Sequence, residues 1–81
     1  MLPFPDPFRT RQTQVFVFRT NVVSHRMLRN LEEVLSPVPE TFWTVDLEDA
    51  DRILRVETSR LTAPQIRALA HSAGVRCDEL D

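Results

Sequence analysis

Apolar residues are dense from Val15 to Phe18 and then recur at helical spacing, at Met27, Leu28, Leu31, Val34 and Leu35. The dense run is the pattern of a buried strand, and the spaced series is that of an amphipathic helix. The chain thus changes period between Asn21 and Ser24. Ser24 is the predicted N-cap, since its hydroxyl can accept from a free amide of the first turn. The helix is predicted to run to about Leu35, with Arg26, Arg29, Asn30, Glu32 and Glu33 facing out. Ser36-Pro37-Val38-Pro39 ends it, because the residue before a proline is pushed out of helical geometry.

In Thr41–Glu48, Trp43, Val45 and Leu47 alternate with Phe42, Thr44, Asp46 and Glu48. That period of two predicts a half-buried strand. Asp49-Ala50-Asp51 makes a turn, and Arg52–Thr58 returns as the next strand with Leu54 and Val56 inward. Thr62-Ala63-Pro64-Gln65 has the pattern of a capping box with proline in the first turn. A second helix follows, with Ile66, Leu69, Ala70 and Ala73 on its apolar face and Gly74 as its stop. Val75–Leu80 reads as a final strand at an edge, where its charges discourage pairing.

The order strand, helix, strand, strand, helix, strand is the split βαβ arrangement. It predicts an α+β, ferredoxin-like βαββαβ sandwich: a four-stranded antiparallel sheet with both helices on one face. Residues 14–81 form this domain. Residues 1–13 read as a proline-rich arm, because Pro3, Pro5 and Pro7 favour extended geometry over helix. Phe4 and Phe8 mark the arm as a candidate contact surface, since a purely solvated tail does not normally carry two aromatics.

Composition narrows the class. Eighty-one residues make one small domain, and 42% hydrophobic content is that of a globular chain. No window approaches the roughly 18 apolar residues of a membrane span, and the prolines interrupt any signal-peptide core. The expected compartment is the cytoplasm. Residues 1–30 carry a balance of +4 and residues 31–81 one of −6, a split able to orient a partner or a second copy. Cys77 is the single cysteine, so one chain holds no disulfide, redox pair or four-thiolate zinc site. The acids Asp46, Glu48, Asp49 and Asp51 lie close in sequence but lack the glycine and terminal Glu of a calcium loop. They read as a solvated hairpin tip.

Thr20-Asn21-Val22-Val23-Ser24-His25-Arg26-Met27-Leu28, followed by Trp43-Thr44-Val45-Asp46-Leu47-Glu48, Ile53-Leu54-Arg55-Val56 and Ala73-Gly74, resembles the heavy-metal-associated domain. That family includes small copper chaperones and the N-terminal modules of metal-pumping ATPases. The resemblance spans about Gln14–Leu80. It implies that Ser24 and Met27 stand where the family has a Cys-x-x-Cys pair. Two thiolates at that spacing converge on soft Cu(I) or Zn(II). A neutral hydroxyl and an uncharged thioether are far poorer ligands, so the resemblance implies a degenerate member whose scaffold persists without metal transfer.

The expected function is that of a non-enzymatic interaction or structural domain, with no cofactor, acting on a protein partner or as a homodimer. Phe4, Phe8, Phe42 and Trp43 are its candidate contact residues. Residual Cu(I) binding through the loop at residues 20–28 is an alternative, with His25, Met27 and Cys77 as candidate ligands and His71 as a further donor. RNA recognition is another, because RNA-binding domains of this topology stack bases on sheet aromatics. Phe16 and Phe18 would serve the first strand, but Arg52–Thr58 has no aromatic. For catalysis, Ser24 and His25 lack an orienting carboxylate and an oxyanion site.

Overall fold

The chain from Gln14 builds a sheet whose strands meet out of sequence order. A computed structural model describes residues 13–80. The elements are β1 (Gln14–Thr20), α1 (His25–Leu35), β2 (Thr41–Val45), β3 (Leu54–Thr58), α2 (Ala63–Ser72) and β4 (Cys77–Glu79). The sheet order is β2-β3-β1-β4, with every neighbouring pair antiparallel. This is the ferredoxin-like fold that the element order predicts. The arm at 1–13, with Phe4 and Phe8, lies outside the described residues save for Thr13.

Register decides what is buried. Phe16, Val56 and Trp43 form one row across the sheet, and Phe18, Leu54 and Val45 form the next. Alternate residues share a sheet face, so these rows point at the helices. Phe18, Leu54 and Val56 are fully buried with Leu31 and Leu35 of α1 and with Ile66 and Ala70 of α2. Burying a side chain such as Phe18 stabilises the fold by about 2–3 kcal/mol. The opposite face carries Val15, Val17, Arg55, Glu57, Phe42 and Thr44, and no described element covers it; the dense run Val15–Phe18 is thus buried by the helices on one face only, with Val15 48% exposed.

Local signals act where the sequence puts them. The Ser24 hydroxyl caps α1. Thr62 and Gln65 form a reciprocal capping box at α2, with Pro64 in its first turn. Gly74, at φ +80°, ends α2. There the Val75 and Gly74 amides donate to the Ala70 and His71 carbonyls at 2.9 Å each, the paired bonds of a Schellman cap.

Three boundaries differ from expectation. β2 stops at Val45 because the Asp46 carboxylate accepts from the Glu48 amide (3.0 Å) and turns the chain. Arg52 stands outside β3 at φ +49°, its guanidinium donating to the Leu47 carbonyl. β4 is only Cys77–Glu79, and Val75 is a buried core residue of the preceding connection instead of a strand residue. Asn30 also turns inward, its amide donating to the Ala73 carbonyl at 3.4 Å and linking the two helices.

Candidate functional site

Two surfaces carry the candidate residues. The first is the loop between β1 and α1, which long-range bonds hold at its start. The Thr20 hydroxyl donates to the Arg52 carbonyl (2.6 Å) and accepts from the Val22 amide (3.2 Å). The Asn21 side-chain oxygen accepts from the Arg76 amide at 2.8 Å. Val22 is fully buried beneath these bonds, whereas Val23 is 74% exposed. The loop is thus pinned at Thr20–Val22 and open only from Val23.

Beyond Val23, the side-chain atoms of Ser24 and Met27 are engaged by backbone amides at the start of the helix. Ser24 has extended backbone geometry (φ −149°, ψ 160°), and its hydroxyl accepts from the Met27 amide at 3.3 Å. The Met27 sulfur accepts from the Val23 amide at 3.5 Å, and its side chain packs half-buried against the core. His25 is exposed at the first turn of α1, and His71 is exposed near the end of α2. Cys77 lies opposite Thr20 in the β1–β4 ladder and is buried. Burial, reinforced by the Asp78 carboxylate and opposed by Arg67, pushes its thiol up to about 11. Among the described residues, no three His, Cys, Asp or Glu side chains converge as a metal site. In the hairpin, Asp46 and Asp49 accept from the amides of Glu48 and Asp51, so these two carboxylates shape the turn.

The second surface is a shallow groove of about 590 Å³ between α1 and β2. Its floor is Leu28, Trp43 and Val45, and its rim is His25, Arg29, Glu32 and Thr44. Trp43 packs half-buried against the core, while Phe42 is 72% exposed on the open face of the sheet. Of the four predicted aromatic contacts, Phe42 and Trp43 therefore lie on opposite faces of one edge strand, and Phe4 and Phe8 fall outside the described residues. Phe16 and Phe18 face the helices, so they offer no stacking surface to a base.

Sequence reasoning missed the groove. Arg29 and Glu32 read as solvated helix positions, and nothing local says that their side of α1 lies beside β2. The available signal is the His25, Leu28, Arg29, Glu32 series, spaced three and four apart so as to share one helix face. Thr41 and Thr58 were also unmarked, yet their hydroxyls lie 2.8 Å apart and fix the start of β2 on β3. Glu40, at φ +56°, adds to this by accepting from the Ser59 hydroxyl and the Arg60 guanidinium.

No family model matches the chain, and no curated protein matches it by sequence. Among solved structures, it is similar to the apo form of the HMA domain of the copper chaperone for superoxide dismutase. The TM-score is 0.73 at 16% identity, over 96% of this chain and 78% of that one. At that identity, the likeness is one of fold.

Proposed function

We propose that this chain is a non-enzymatic interaction domain of heavy-metal-associated type, which binds protein in the cytoplasm and does not hand on metal. The observation that carries this reading is the loop after Asn21. Where the resemblance puts two thiolates, the Ser24 hydroxyl caps α1 and the Met27 sulfur accepts a backbone proton. Neither atom is an anionic donor at neutral pH. Among the described residues, the aromatic surfaces that support recognition are the groove around Trp43 and the exposed Phe42, in keeping with the enrichment of aromatics at protein contacts.

The test is titration of the reduced 81-residue chain with Cu(I) and with Zn(II) under native mass spectrometry. An apo spectrum at micromolar metal is the expected result. One metal per chain, lost on Met27→Leu, would overturn the reading.

A second reading has one observation in its favour. The Thr20–Cys77 register brings the only cysteine to the base of the loop that holds His25 and Met27. Cu(I) binding there requires Cys77 to leave the core and to lose its proton, and both steps oppose it.

A further inference from the structure

The two edges of the sheet are finished differently. β4 is three residues long and presents Asp78 and Glu79, the short, charged ending that discourages sheet-to-sheet pairing. β2 reads Thr-Phe-Trp-Thr-Val, with no charge, proline or glycine. Among the described residues, no strand lies beyond it. Such a strand, aromatic and β-branched, is a template for another strand.

Its register shows which groups stand open. The Asp46 amide donates to the Ile53 carbonyl at 2.9 Å, so Thr44 and Phe42, two and four residues earlier, fall at the hydrogen-bonded pairs with β3. The backbone groups of Thr41, Trp43 and Val45 therefore point away from the sheet. Trp43 stands at the centre of this free edge.

We propose that a second copy of this chain pairs with β2, antiparallel and centred on Trp43, to form a two-fold dimer with one continuous sheet. The proposal rests on the protein-binding reading above and names the partner. Each Trp43 would face its counterpart, and Thr41 would face Val45 of the second copy. Both indoles would lie on the helix side, each extending the apolar floor of the other's groove.

Charge favours a second copy as the occupant. Arg29 and Glu32 sit one turn apart on the groove rim. A two-fold axis through Trp43 reverses the partner helix, so Arg29 of one copy meets Glu32 of the other, twice. The rim is complementary to itself, as an isologous contact requires. Closure follows from the other edge, because β4 is blunted and assembly stops at two.

The test is sedimentation velocity of the full chain across a micromolar concentration series, with hydrogen exchange followed at the Trp43 amide. A species of twice the 9.4 kDa chain mass is expected, with Trp43 protection that rises with concentration. Arg29→Glu and Glu32→Arg, both at helix-surface positions, should each raise the dimer dissociation constant about tenfold or more through like-charge contact. The double variant, R29E with E32R, should restore it. A monomer at every concentration would overturn the proposal, as would a dimer indifferent to all three variants. Trp43 protection in a sample that sediments as a monomer would also overturn it, since the edge would then be covered within one chain. Metal titration decides the underlying reading separately: an apo monomer defeats self-pairing alone, and bound metal defeats the reading itself.

Discussion

The hydroxyl of Ser24 accepts a hydrogen bond from the backbone amide of Met27, 3.3 Å away. These are the two positions at which the resemblance to heavy-metal-associated domains puts a thiolate pair. Here they are joined as a helix cap, so the segment that would bind metal serves as the start of α1.

Placing a thiolate pair at these two positions should confer Cu(I) binding. The double variant Ser24→Cys, Met27→Cys is expected to bind one Cu(I) per chain in competition with a chromophoric chelator, while the unsubstituted chain fails to compete. Loss of the Ser24 cap should cost about 1 kcal/mol of stability. If the variant folds by circular dichroism and still binds no Cu(I), the pinned shape of the loop, and not its donor set, is what excludes metal.

Thr58 should be the most sensitive polar position. It is buried, and its hydroxyl accepts from the amides of Arg60 (3.0 Å) and Leu61 (3.3 Å) and lies against Thr41. Thr58→Val keeps the shape and strands these donors, for an expected loss of about 1–3 kcal/mol in urea denaturation. A change within about 0.5 kcal/mol, as at an ordinary surface site, would remove Thr58 from this role.

Gly74 offers a substitution that isolates backbone geometry. At φ +80°, an added Cβ meets nothing within 4 Å, so any penalty comes from conformation and not from a clash. Gly74→Ala should lower stability by about 1–2 kcal/mol, and Gly74→Asn by less, because Asn tolerates the left-handed region better. Equal losses for the two would point to a steric cause instead.

The Cys77 thiol gives the protein an alkaline limit. Burial raises it from 9.0 to about 11, so the folded state prefers the neutral form. Below about pH 9, the thiol is protonated whether the chain is folded or not, and stability is undiminished. Above that, the unfolded chain ionises first, and stability is lost at up to about 1.4 kcal/mol per pH unit until pH has risen through about 11, where the folded thiol ionises too. Urea midpoints taken from pH 7 to 11 should show this decline, and Cys77→Ala should flatten it. Iodoacetamide at pH 8 should label Cys77 slowly in the native protein and rapidly in denaturant.

The sequence by itself determined the elements and their order. Strand and helix periods, the Ser24 cap, the Thr62–Gln65 box and the Gly74 stop are signals between residues a few positions apart. Each acts locally whatever the rest of the chain does. Leu54, Val56 and Ile66 were legible as core for the same reason, since period says which side of an element is apolar; in the unbroken run Val15–Phe18 period chooses no side, and only the sheet buries Phe18 and leaves Val15 exposed. The tertiary structure decided which elements became neighbours. Only the order β2-β3-β1-β4 leaves Thr41–Val45 as the uncharged edge. The packing of α1 beside β2 likewise turns Arg29 and Glu32 from solvated helix positions into the rim of a groove around Trp43. A period records the face of an element on which a residue lies. What that face meets depends on contacts made across the whole chain, and these form only when the core closes.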